Sequence, residues 1–112
     1  MDTQNIEYAV IVLEENISSI FTVKEWAEEM GYSSEKYFSR IIRNHYGKRP
    51  KEVIKEVKLQ AIKQKITNNP EEIFYAIAKE LGFANDQALY KFVKRYTGQS
   101  LTSVKMECEK GV

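Results

Sequence analysis

Two sets of polar side chains in this 112-residue chain share a spacing that suits contact with a long, regular ligand. Lys36, Ser39, Arg40 and Arg43 recur at i, i+3, i+4 and i+7, and so do Gln87, Tyr90, Lys91 and Lys94. On a helix that spacing makes one stripe. An arginine such as Arg40 can hold guanine O6 and N7 in a bidentate pair worth about 1–3 kcal/mol of discrimination, and a glutamine such as Gln87 can hold adenine N6 and N7. Lys36 suits a base edge or a phosphate, Ser39 bonds either way and discriminates poorly, and Lys91 suits a base edge. Tyr90 suits a thymine methyl, a phosphate, or a half-buried place over the core. Arg43, Asn44, Lys94 and Arg95, further along, suit the phosphate backbone. Ser33 and Ser34 would offer hydroxyls and free amides to a phosphate at a helix start, and Asn85 either does the same or serves only as an N-cap. Read alone, each basic stripe is equally a solvated helix face.

Other chemistries are poorly supplied. One histidine, His45, and one cysteine, Cys108, leave no nucleophile–base pair and no zinc quartet, and no phosphate-binding glycine loop is present. An enzyme, a metal and a cofactor are therefore not expected. A single cysteine excludes an internal disulfide and fits a reducing compartment. No apolar run approaches the roughly 20 residues of a membrane span, and the start, MDTQNIEYAV, lacks the basic region of a secretory signal. A cytoplasmic protein is the expectation.

Charge is unevenly distributed along the chain. Residues 1–33 carry one lysine against seven carboxylates, residues 34–67 ten Lys/Arg against three, and residues 68–112 six of each. The basic middle third attracts polyanions. Its lysines on the central helix, Lys51, Lys55, Lys58, Lys63 and Lys65, read as mostly solvated.

The elements that would carry these residues are all helical. Helical periodicity recurs throughout and no alternating β pattern is present, so about seven short helices are expected. A first amphipathic helix spans about Thr3–Asn16, with Ile6, Ala9, Val10 and Leu13 on its apolar stripe. Thr22-Val23-Lys24-Glu25 is a capping box, with Phe21 and Trp26 placed as a hydrophobic staple. That helix runs to Met30, with Gly31 as a left-handed cap. The next starts at Ser33 or Ser34, buries Phe38, Ile41, Ile42 and His45, and stops at Gly47. Pro50 opens a central helix to about Ile66. Asn69-Pro70-Glu71-Glu72 reads as the cap and first turn of a helix ending at Gly82. Another spans Asn85–Thr97, and a weak one Leu101–Cys108.

The middle helices occur twice. A shift of 51 residues places Val23 on Phe74, Trp26-Ala27 on Ile77-Ala78 and Met30-Gly31-Tyr32 on Leu81-Gly82-Phe83. It also places Phe38 on Leu89, Ile41-Ile42 on Phe92-Val93 and Gly47 on Gly98. The matched positions are small, apolar or glycine, as two copies of one packed core require. The unit reads as a helix-turn-helix, whose second helix enters the major groove.

The stretches FTVKEWAEEMGYSSEKYFSRIIRNHYGKRPKEV, KEVKLQAIKQKI and FYAIAKELGFANDQALYKFVKRYTGQS resemble the DNA-binding domain of the AraC/XylS family of bacterial transcription regulators. The resemblance covers about Ile6 to Lys105. It implies an all-α fold of two homeodomain-like three-helix units: a first over 4–50, a linker helix over 51–67 and a second over 69–108. It also implies sequence-specific binding of double-stranded DNA, with helices at about 34–46 and 85–97 in adjacent major-groove segments. The 17-residue linker would span about 25 Å, on the scale of the ~34 Å between successive major-groove entries. RNA polymerase and a separate N-terminal effector or receiver domain are the further partners the resemblance suggests, with no membrane. Four features of the second copy depart from the family pattern: Leu101 in place of proline, Asp86 at the mouth of the reading helix, the short Ala84 and Ala88, and Lys91 in place of arginine. Asp86 could accept from cytosine, repel DNA or orient a lysine. The competing reading is a protein-interaction module that uses the acidic N-terminal face, with DNA binding vestigial.

Overall fold

The computed structural model describes the backbone of residues 5–110 and the side chains through Cys108. Seven α-helices and one 3-10 turn make up its regular structure, with no strand among the described residues. The helices are α1 (Ala9–Glu15), α2 (Val23–Glu29), α3 (Glu35–Tyr46), α4 (Pro50–Asn68), α5 (Phe74–Glu80), α6 (Asp86–Thr97) and α7 (Leu101–Lys110).

Local chemistry accounts for most of the boundaries. The Asn5 side chain accepts from the Glu7 amide and starts a 3-10 turn, Ile6–Tyr8, that leads into α1. The expected start of this segment at Thr3 lies outside the described residues. α1 buries Ala9, Val12 and Leu13, and Val10 packs half-buried against the same core. At α2 both halves of the capping box are made: the Glu25 amide donates to Thr22 Oγ1 at 3.1 Å and the Thr22 amide to Glu25 Oε1 at 2.9 Å. A second amide, that of Phe21, also donates to Glu25, and this bond is the largest cause holding the Glu25 carboxyl below its usual range.

Chain positions 51 residues apart adopt the same structure. α2 and α5, α3 and α6, and the starts of α4 and α7 are all related by that shift. Gly31 and Gly82 turn the chain at φ 84° and 86°, a left-handed conformation that a side chain would strain. The Tyr32 amide then reaches Ala27 O at 2.9 Å and the Phe83 amide reaches Ala78 O at 2.8 Å. Leu101, which stands where Pro50 stands in the first copy, is 2% exposed and begins α7. That last helix is longer than the sequence suggests. Ser100 Oγ caps it by accepting from the Ser103 amide, and Leu101 and Val104 are buried.

The chain divides into two compact units, one up to Lys58 and the other from Leu59 onward. In the first unit Ala9, Leu13, Trp26, Met30, Phe38 and Ile42 are fully buried, joined by Val53 and Ile54 from the first half of α4. Trp26 meets Phe38 edge to face at 5.2 Å, and its indole N–H donates to Ala9 O at 3.0 Å. A buried tryptophan thus keeps a hydrogen-bond partner. In the second unit Ile62 and Ile66 of α4 are buried, as are Ile77, Ala78, Leu89 and Val93.

Three expectations are corrected. Asn69-Pro70 does not open a helix. α4 runs through Asn68, so the Asn69 amide still donates to Lys65 O, and Asn69 O accepts from the Glu72 amide in a turn. α5 begins only at Phe74, with Ile73 at its N-cap and no side-chain cap. His45 is exposed rather than buried, and Ile41 is only half-buried. Tyr46 takes the inward role at the end of α3, its hydroxyl donating to Ile6 O at 2.8 Å. Finally, Lys58 is not solvated but 3% exposed. Its ammonium donates to Ile17 O at 2.6 Å and lies 3.5 Å from the centroid of the Phe21 ring.

Candidate nucleic-acid interface

α3 carries its polar residues outward because its apolar ones are held inward. Phe38 and Ile42 are fully buried, and the Tyr46 hydroxyl anchors the helix end to the 3-10 turn. Ser34 starts the helix by accepting from the Tyr37 amide at 3.1 Å, and Gly47 ends it at φ 72°. Two of the candidates for base contact, Lys36 and Arg40, are exposed and the third, Ser39, is half-buried between them. Arg43 and Asn44 are exposed on the following turn. The sequence-derived stripe is thus one continuous surface within the first unit. Ser34 reaches that surface only in part, because its hydroxyl already accepts the cap bond. Ser33 lies outside the helix and is exposed.

Tyr37 was not among the sequence candidates. It is 49% exposed, and the Arg40 guanidinium carbon lies 5.5 Å from its ring centroid. Stacking on an aromatic limits the orientations of a guanidinium fork before a ligand arrives. The i, i+3 spacing of Tyr37 and Arg40 is the signal that could have revealed it.

α6 presents a different surface on the same scaffold. Asn85 caps it, Oδ1 accepting from the Ala88 amide at 2.9 Å, and Leu89 and Val93 are buried. Gln87 and Lys91 are exposed. Tyr90 is 39% exposed and meets Phe74 edge to face at 5.8 Å, so part of its ring packs within the unit. Lys94 donates to Gly98 O at 3.1 Å, closing the helix end, and the Arg95 guanidinium carbon lies 5.5 Å from the Tyr96 ring centroid. Asp86 is half-buried in the first turn. Among the described residues no group of three or more His, Cys, Asp or Glu is placed to hold a metal ion. No helix among them is long and apolar enough to cross a membrane.

Residues 26–106 match the helix-turn-helix domain family. Three solved structures share the fold. An AraC-type transcriptional regulator from Chromobacterium violaceum is 16% identical, with a TM-score of 0.73 over 92% of this chain and 90% of that one. The C-terminal domain of AraT, a response regulator from Geobacillus stearothermophilus, is 19% identical, with a TM-score of 0.76 over 90% of this chain and 83% of that one. The DNA-binding domain of AdpA, a global transcriptional factor crystallised with a target DNA, is 19% identical, with a TM-score of 0.73 over 94% of this chain and 93% of that one. No curated protein sequence matches the chain.

Proposed function

The chain belongs to the AraC-type family of helix-turn-helix DNA-binding domains, and from that premise we propose that it controls transcription by reading two adjacent major-groove segments with α3 and α6. In this reading Lys36, Ser39 and Arg40 of α3, and Gln87, Tyr90 and Lys91 of α6, meet base edges. Arg43 and Asn44, Lys94 and Arg95, and the helix-start residues Ser33, Ser34 and Asn85 hold phosphates. Arg40 is the main specificity residue, a planar fork already stacked on Tyr37 and matched to guanine O6 and N7.

One observation carries the proposal. The two copies bury apolar residues at matching positions, Trp26 and Ile77, Phe38 and Leu89, Ile42 and Val93, and cap α3 and α6 alike, while their exposed stripes differ in residue type. A shared scaffold with divergent stripes suits two readers of different sequences. The cytoplasm is the compartment where such a reader meets its DNA. RNA polymerase and a signal-sensing N-terminal domain enter this proposal through family membership alone.

Selection of bound duplexes from a random pool tests it. Two motifs about one helical turn apart are expected, and affinity should fall linearly on logarithmic axes as salt rises. A single short motif would confine reading to one unit. Equal affinity for every duplex would defeat the proposal.

A further inference from the structure

The second unit contains an apolar groove of about 440 Å³ between the 69–73 turn, the start of α5, the first turn of α6 and α7. Phe74 and Tyr90, packed edge to face, form its apolar lining. On its rim Ile73 is 68% exposed and Tyr75 50% exposed. Ile73 sits at the N-cap of α5, where it can accept no amide hydrogen bond, while the first copy has Thr22 and a complete capping box there. An exposed aliphatic in a capping position serves neither the helix nor solubility.

The charges around the groove have one dominant sign. Glu71, Glu72 and Asp86 line it, against Lys105, whose ammonium lies 5.5 Å from the Phe74 ring centroid. Beside it, the Glu72 carboxyl shares a hydrogen bond with Glu80 that raises it above the usual carboxyl range. Glu80, paired with Lys65 at 2.6 Å, is held below that range. Carboxylates crowded in this way gain from an added cation. A phosphate would be repelled. The surface is also specific to the second copy: Thr22, Lys24 and buried Ile54 stand in the first unit where Ile73, Tyr75 and Lys105 stand here.

We infer that this groove docks a segment of a protein partner that presents an aliphatic or aromatic side chain flanked by arginine or lysine. The apolar side chain fills the space over Phe74 beside Ile73. The basic ones pair with Glu71, Glu72 and Asp86, and the exposed face of Tyr75 offers a platform for a guanidinium. Only Tyr90 is shared with the proposed DNA surface, so docking and DNA reading stand or fall separately.

The test uses the full chain as bait for a phage-displayed library of random peptides, counter-selected against a Glu71→Lys/Glu72→Lys/Ile73→Asp triple variant. Enriched peptides are expected to combine basic and apolar residues. By fluorescence anisotropy, Glu71→Lys/Glu72→Lys and Ile73→Asp should each weaken them by about tenfold or more. Helix content by circular dichroism should hold in those variants, and duplex affinity should not fall, the added lysines if anything raising it at low salt. Tyr75→Lys, which restores the first copy's residue, is the backup should Ile73→Asp fail to fold, and is expected to weaken the peptides as well. No enrichment over the triple variant, acidic enriched peptides, or affinity indifferent to the charge reversal would each overturn the inference. So would a loss of duplex affinity in folded Ile73→Asp, which would make the groove a DNA surface.

Discussion

Replacing Lys58 with methionine isolates the effect of a buried ammonium on folding. The side chain is 3% exposed, its Nζ bonds Ile17 O at 2.6 Å, and Phe21 lies beneath it. Burial is the main cause pushing its pKa down from 10.5 to about 8, and Glu25, the charged group of α2 that faces it, opposes the change. A lysine with a lowered folded pKa binds fewer protons folded than unfolded between those two values. Stability of the wild type therefore rises with pH through that window. The gap corresponds to at most about 3 kcal/mol. Below it the charged lysine is carried into the fold against its desolvation, offset in part by the carbonyl and the ring, each worth about 2 kcal/mol. Methionine removes the charge but leaves Ile17 O unpaired, at about 1–3 kcal/mol. Near neutral pH the two changes nearly cancel, so Lys58→Met should lie within about 1 kcal/mol of wild type. Between about pH 7 and pH 10 wild type should gain on it by about 1–3 kcal/mol. Trp26, the only tryptophan and fully buried in the same unit, reports unfolding by its fluorescence in urea titrations. Parallel stability curves for variant and wild type across that range would refute the argument.

Other perturbations separate reading from scaffold. Arg40→Ala should weaken the selected duplex by about 1–3 kcal/mol and relax preference at one base pair, whereas Arg43→Ala should weaken all duplexes alike and lower the salt slope by about one; competition titrations at several salt concentrations distinguish them. Tyr46→Phe removes the bond to Ile6 O and should lower the stability of the first unit by about 1 kcal/mol in the same Trp26 assay. Gly47→Ala meets no atom within 4 Å of the added methyl, so its φ of +72° alone sets the penalty, about 1–2 kcal/mol in urea melts.

Most of the scaffold was legible because its signals are local. The capping box at Thr22, the Ser34 and Asn85 caps and the left-handed glycines act within one turn of chain, and all appear as their residue types imply. The repeat made the core legible too, since one shift aligned its buried positions twice. The exposed stripe of α3 followed by subtraction. Where two local signals competed, the reading failed. Asn69-Pro70-Glu71-Glu72 has the chemistry of a helix start, but α4 extends far enough to take the Asn69 amide first. His45 and Tyr46 are adjacent at the end of one stripe, and the carbonyl of Ile6 decides which turns inward.

By itself the sequence determined the helical elements, most of their caps, the duplication and the exposed stripes of α3 and α6. Each of these follows from side-chain type at spacings of a few residues, the range over which helix geometry acts. Tertiary structure alone decided that Lys58 is buried, since Ile17 lies 41 positions away in the chain. It likewise decided that the acidic turn at Glu71 and Glu72 opens beside Phe74 and Tyr90 as one groove. Such features depend on which surfaces meet after the helices pack, and no periodicity along the chain encodes that meeting.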